Sequence, residues 1–438
     1  MSSEANNITA DNKSVTPRSA DKYIWAIYIT LCIISIVEQY SASARMVSAN
    51  NIVGPLVRHI MHLSAGLVII YIIQRIPYTK FIKWIPVLAI ASVCLSIYVM
   101  LWGDVINGAR RSFKLLGFLP IQPAELIKFS AAALLAFIMS KSQLKDRQGV
   151  SQKGIITAMV SVAIFGSVLF SQGTTNTIIL FAICFSMMIL GGVQIKKLAM
   201  IVVVSVLLGG LALGAKMMFS DDESDPTTAS ATEKIAQGKT INRVTDVALP
   251  RLQRWWYGDS IPKWDQEITR YNHQEQYSYI AQANGGICGV FPGNSREAAR
   301  LPLAFSDFIF AIVVEDMGLI GGVFLLILYL FLLFRAGGIA SQCVRAFPML
   351  LVIGMALYIT FQALFHMAIV SGFFPVSGQP LPLISAGGSS IFVTSLAIGV
   401  MLSVSRYAAR KGNDNKKEAT KEANALPEEA RAENPSML

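Results

Sequence analysis

The sequence predicts an all-α polytopic membrane protein of about ten transmembrane helices, with one large extracytoplasmic loop between the seventh and the eighth. Three observations lead there. Of 438 residues, 53% are hydrophobic and only 15% charged, and the mean hydropathy is +0.52; a soluble protein of this length carries nearer a quarter charged residues. Apolar runs of spanning length follow one another along most of the chain. Lys and Arg collect in alternate short loops between those runs, the pattern that orients a membrane protein. The net charge of +10 therefore reports topology. It builds no basic face for tracking phosphates, and nucleic acid is excluded as a partner.

Met1 to Lys22 is polar, lacks a signal-peptide core and is expected to be a disordered tail. The first span, Tyr23 to Glu38, then serves as an uncleaved anchor. Further spans are expected at Leu56–Ile73, Phe81–Leu101, Ala124–Ser140, Ile155–Leu169, Thr177–Gly192, Leu198–Phe219, Phe305–Phe334, Phe347–Val370 and Ser385–Val404. The membrane domain thus covers 23–408, and residues 220–304 form the large outer loop. That loop carries Trp255, Trp256 and Trp264, which suit a membrane interface, and the Gly-rich stretch Asn284 to Ser295, which permits tight turns. The charged stretch 409–438 is expected to be a second disordered tail. Five scattered cysteines form no CxxC pair and no metal-ligand cluster.

Basic loops at Arg75/Lys80/Lys83, Lys141/Lys145/Arg147/Lys153, Lys196/Lys197 and Arg335/Arg345 put both termini in the cytoplasm. Arg110, Arg111 and Lys114 then fall outside, against the rule, which suggests work at the outer surface such as holding an anionic headgroup.

The chemistry centres on Leu301 to Gly322, where Asp307 sits at the membrane rim and Glu315 and Asp316 lie deeper among apolar residues. An ionised carboxylate in hydrocarbon costs about 2.5–3.5 kcal/mol on insertion scales, so such residues face protein or water. These acids could serve folding alone; three in one segment favour a site. Two further segments converge on the same half of the bundle. In Asn107 to Lys128, Glu125 and Lys128 are spaced i,i+3 and can pair. In Pro375 to Ser390, Pro and Gly impose an irregular path.

The motifs GARR, QPAELIK, GNS, LP..FSDFIFA..VE..GL.GG and P..G..LPLIS.GGSS together resemble the SEDS family (shape, elongation, division and sporulation), which includes FtsW, RodA and SpoVE. The resemblance runs from Tyr40 to the last span, and the spacing within GNS…LP and the extended tails look more like FtsW than RodA. It implies a peptidoglycan glycosyltransferase of the inner membrane that polymerises lipid II into glycan strands at the outer face, for septal synthesis in cell division. The implied partners are a class B penicillin-binding protein transpeptidase of the FtsI type and other divisome membrane proteins. The family's essential aspartate matches Asp307, as the catalytic residue. Glu125 and Lys128 match the QPxE..K pair, Gln274 a glutamine upstream of the Gly-rich loop, and Ser385, Gly387 and Gly388 the LPLIS.GGSS loop; with Arg110 and Arg111 these are the expected substrate-binding residues. The chain departs from the family pattern at Ser112, Thr174, Leu303, Phe305, His366 and Ala386.

Glycosyl transfer to a sugar hydroxyl needs a base within hydrogen-bond reach, worth roughly 10²–10⁴-fold, and cations or N–H groups for the leaving diphosphate. A Mg or Mn ion would suit that diphosphate, although no ligand cluster demands one. The rival readings are a lipid II flippase, which also uses intramembrane charges and broken helices, a RodA-type elongation polymerase, and a scaffold. Clustering of the motif loops on one face favours the polymerase.

Overall fold

A computed structural model of the protein describes residues 18–44, 53–106, 109–115, 119–144, 149–170, 172–199, 266–269, 272–410 and 416–434. The expected spans recur as helices: α1 (Lys22–Ala44), α2 (Val53–Ile73), α3 (Phe81–Trp102), α4 (Pro123–Lys141), α5 (Gln152–Phe170) and α6 (Thr174–Leu190). After α7 (His273–Gly285), which falls in the long loop expected at 220–304, come α8 (Ile309–Gln342), α9 (Ala346–Val370) and α10 (Gly388–Tyr407). Among the described residues eight helices are long and apolar enough to cross a membrane, and the 17-residue α6 is a shorter apolar helix. The span expected at Leu198–Phe219 and the tryptophans of the loop expected at 220–304 lie outside the described residues, apart from the first two positions of that span.

Burial separates hub from rim. The most hydrophobic stretch of α9 is 89% buried and that of α2 only 22%, so α9 is surrounded by protein and α2 keeps a broad face for lipid. α9 packs on α8, α4, α6 and α10, and α10 packs on α2. Because consecutive helices alternate in direction, the starts of α4, α8 and α10 and the end of α9 share one end of the bundle.

Two features were not anticipated. Between α3 and α4 the chain forms a small antiparallel sheet, β1 (Asp104–Ile106), β2 (Ala109–Leu115) and β3 (Leu119–Ile121), ordered β1-β2-β3. β2 packs on α3 and α4, and β3 on α10. Strands of three to seven residues leave no hydropathy signal of their own. The second feature is the tail. Residues 416–434, whose composition predicts disorder, form α11 (Lys416–Ala425) and a strap across the opposite end of the bundle. The Tyr78 hydroxyl donates to the Glu422 carboxylate. The Asn434 amide donates to Ala340 O and Cys343 O at 3.2 and 2.9 Å. The strap thereby satisfies carbonyls that the end of α8 leaves open.

α8 is two helices joined at a break. Gly318 there has φ 69 and ψ −174, a conformation open to glycine and closed to β-carbon residues. The Gly-rich loop fills the gap: Val290 and Phe291 N–H donate to Glu315 O and Asp316 O at 3.0 and 2.9 Å. In return Leu319 N–H donates to Gly286 O at 2.9 Å. Gly289, at φ +81, touches the Asp316 carbonyl so closely that no β-carbon fits.

Candidate active site

Asp307 stands just ahead of α8, half-buried, at the end of the turn-rich segment that begins at Leu301. Its N–H and that of Ser306 both donate to Leu303 O at 3.0 Å. Leu303 has φ 59, a left-handed conformation that a bulky residue keeps only when its surroundings impose it. The buried anchors Leu301, Ala304 and Phe308 supply that constraint.

The Pro-rich loop after α9 grips this turn. Ser385 Oγ donates to Ser306 O at 2.6 Å, Ala386 N–H donates to Phe305 O at 2.9 Å, and Leu381 N–H donates to Ser385 Oγ at 2.7 Å. The loop is held in turn by buried side chains. Tyr329 of α8 donates to Pro382 O at 2.6 Å, and Ser35 of α1 donates to Leu383 O at 2.7 Å. With its own proton so committed, Ser35 accepts from His59 of α2 at 2.6 Å, which fixes that imidazole's proton on Nε2. Leu383 is a second left-handed leucine, at φ 67. Ser385, expected to touch substrate, is thus occupied as a bracket. Gly388 opens α10 where a β-carbon would lie 3.1 Å from the His62 ring, so its glycine permits close packing of α2. Gly387 precedes it in an extended conformation.

Glu125 and Lys128 pair as their spacing predicts, Nζ to Oε1 at 2.9 Å, both fully enclosed. Lys128 Nζ also donates to Gln362 Oε1 at 2.9 Å, and the Tyr358 hydroxyl to Glu125 Oε2 at 2.8 Å. Tyr358, Gln362 and Tyr329 are site-supporting residues that no sequence motif singled out. Tyr358, Gln362 and His366 recur at i, i+4 and i+8 in an otherwise apolar helix, and that stripe was the available signal.

The deeper acids have separate roles. Glu315 is buried but satisfied: it accepts from Arg296 N–H at 2.9 Å and from the Ser295 hydroxyl, and so ties the loop ahead of Leu301 to α8. Asp316 and Glu38 of α1 are enclosed within electrostatic reach of each other, and none of their four oxygens has a hydrogen-bond partner among the described residues. The Ser41 hydroxyl and the Gly293 and Ser295 amides stand near Asp316 without meeting hydrogen-bond geometry. Burial holds the loop residue Glu297 above the usual carboxylate range, with Arg300 pulling it down and Glu315 pushing it up. Outside the bundle, α7 is pinned to the end of α9 by Ser278 Oγ and Gln282 Nε2, both 2.9 Å from Val370 O.

Arg110 and Arg111 lie on β2, opposite β1 and at the active-site end; their side chains lie outside the described residues. Gln274 occupies the first turn of α7, part-exposed. Among the described residues no three His, Cys, Asp or Glu side chains converge as a metal site would require. A groove of about 360 Å³ along α8, from Ile287 to Ile327, is wholly apolar and brings no reacting group.

The family profile for the FtsW/RodA/SpoVE cell cycle proteins matches residues 21–238 and 240–410. A probable peptidoglycan glycosyltransferase FtsW of Coxiella burnetii is 28% identical over 87% of this chain and 95% of its own length. The stage V sporulation protein E of Bacillus subtilis is 26% identical over 80% of this chain and 87% of its own. Among solved structures, the rod shape determining protein RodA of Thermus thermophilus superposes with a TM-score of 0.59 at 22% identity, covering 88% of this chain and 97% of RodA. A chain of a peptidoglycan synthase complex that coordinates polymerization and crosslinking superposes at 0.63 and 21%, over 88% and 98%. With the family profile spanning nearly the whole membrane domain, the chain belongs to the FtsW/RodA/SpoVE family of cell cycle proteins.

Proposed function

We propose that the protein is a peptidoglycan glycosyltransferase that polymerises lipid II at the outer face of the cytoplasmic membrane, with Asp307 as general base. The observation that carries this reading is the position of Asp307: a half-buried acid ahead of α8, on a turn clamped by Ser385 and Ala386, at the end of the bundle shared by the starts of α4 and α10. Asp307 takes the proton of the acceptor sugar's 4-hydroxyl as that oxygen bonds to the donor's anomeric carbon. The bond from that carbon to the lipid diphosphate breaks, and the diphosphate leaves with the electron pair. Arg110 and Arg111 on β2 stabilise the departing charge, and Gln274 on α7 is assigned to substrate binding. A pre-clamped base suits this task, because holding it within reach of the hydroxyl removes reorganisation from the barrier.

Both termini are assigned to the cytoplasm and the loop containing α7 to the outside, following the Lys and Arg asymmetry. The partner is a class B penicillin-binding protein transpeptidase, FtsI-type and septal, within a divisome. Support comes from the FtsW names of several relatives and from the complex of polymerization and crosslinking among similar folds. The deciding experiment is glycan synthesis from purified lipid II with and without the cognate transpeptidase. Polymer made by this chain carries the reading; lipid II translocation into vesicles without polymer would replace it with transport.

A further inference from the structure

The clamp on Asp307 leads back to the enclosed Glu125–Lys128 pair through one side chain, Gln362. The loop from Gln379 to Ser385 contains two prolines, which donate no N–H, and it is buried at Leu381 and Leu383. Leu381 O is met within the loop by Ser385 N–H at 3.0 Å, but the carbonyls of Gln379 and Pro380 depend on donors from elsewhere. His366 Nδ1 lies 2.6 Å from Gln379 O, and Gln362 Nε2 donates to Pro380 O at 3.3 Å. The next residue, Leu381, donates to the Ser385 hydroxyl that grips Ser306.

The orientation of the Gln362 amide is not free. Lys128 Nζ has donors and no acceptor, so the Gln362 atom 2.9 Å from it must be the carbonyl oxygen. The amide nitrogen is then turned towards Pro380 O. Glu125, held by Tyr358, keeps Lys128 in place from the other side. Lys128 and Gln362 are both fully enclosed, and neither offers the solvent or the rim a free donor.

We propose that Gln362 is a positioning residue for glycosyl transfer. Its amide, oriented by Lys128, fixes Pro380 and, through Leu381 and Ser385, the backbone that carries Asp307. The Glu125–Lys128 pair then acts on the reaction through this loop, without touching the lipid diphosphate. The inference rests on Asp307 being the base, as proposed above.

The test measures kcat and KM for lipid II polymerisation by the full chain with its transpeptidase. Gln362→Met removes both hydrogen bonds at similar volume. Gln362→Glu keeps an acceptor for Lys128 but has no donor for Pro380 O. Lys128→Met removes the orienting cation. All three are expected to lower kcat by roughly 10- to 100-fold with KM unchanged, the scale of loss for a misplacement of about 1 Å. Combining Gln362→Met with Asp307→Glu should lose no more than the worse single variant, because both act at one point. Where Gln362→Met fails to insert, Gln362→Asn, with the same atoms at shorter reach, must show the same kcat loss. A raised KM at parental kcat for Lys128→Met overturns the proposal by making Lys128 a substrate ligand. Parental kcat in Gln362→Glu also overturns it, as do losses that multiply with Asp307→Glu, the mark of general damage. Asp307→Asn, assayed alongside, tells the two readings apart: if it is dead while the Gln362 variants are intact, only the positioning role fails.

Discussion

The Ser385 hydroxyl donates to the Ser306 carbonyl at 2.6 Å, one residue ahead of Asp307. A loop that follows α9 in sequence thus sets the backbone of the acid that precedes α8. The left-handed residues Leu303 and Leu383 lie on either side of that bond in the two segments. Strain of about 1–3 kcal/mol at such positions persists only where the rest of the fold over-determines it.

Ser385→Ala should leave Ser306 O short of a donor and Leu381 N–H without its acceptor. Unsatisfied buried groups cost about 1–3 kcal/mol, so a lowered thermal midpoint is expected together with a fall in kcat. A parental midpoint and rate would mean the loop holds Asp307 without this bond.

Gly289→Ala should damage folding more than activity. A β-carbon there meets the Asp316 carbonyl, on a residue already at φ +81, and the neighbouring backbone has no slack to yield. The expected outcome is loss of monodisperse protein on size exclusion in detergent. Gly286→Ala, where nothing lies within 4 Å, shares the positive φ without the collision and should be milder.

How much of this was legible follows from the range of each signal. Hydropathy located the helices because a span is a local, continuous property. The charged pair Glu125–Lys128 was visible because its partners are three residues apart. The tail strap was not: Glu422 meets Tyr78 from 344 positions away, and composition alone argued for disorder. Tyr329 and Ser35 escaped for the same reason, since each serves a backbone carbonyl of a distant loop, and Gln362, although part of the polar stripe of α9, takes its meaning from Lys128, 234 positions away. The break at Gly318 was hidden inside a stretch whose hydropathy reads as one continuous span, where only the paired loop gives the glycine its meaning.

The Asp21–Arg335 contact predicts a pH dependence. Asp21 caps α1 through the N–H groups of Tyr23 and Ile24 at 3.0 and 3.2 Å, and Arg335 Nε reaches it at 2.9 Å. Burial pushes this carboxyl up, but the Arg335 hydrogen bond and the caps outweigh burial and leave it below its usual 3.8. A group lowered on folding adds stability above its unfolded value, and that stability is lost as pH falls through the folded value. Asp21→Asn keeps a competent cap but loses the ion pair. Its thermal midpoint should lie below the parent's at neutral pH, and the gap should close as pH falls below about 4. A gap that persists undiminished at pH 2 would contradict the ion-pair account.

Orientation can be read with a native thiol. Cys288 is exposed in the Gly-rich loop. A membrane-impermeant maleimide should label it in spheroplasts, and Cys288→Ser should abolish that labelling. Labelling only after permeabilisation would put the Asp307 end in the cytoplasm.

The central claim is base catalysis by Asp307, and Asp307→Asn tests it most directly. The amide is nearly isosteric and still forms hydrogen bonds, but it does not accept a hydroxyl proton at neutral pH. If Asp307 served only to start α8, Asn would replace it well, since both cap helices. The measurement is the rate of glycan synthesis from purified lipid II by the purified, correctly inserted variant with its transpeptidase. The account predicts a loss of roughly 10²–10⁴-fold with an unchanged thermal midpoint; polymerisation near the parental rate would contradict it.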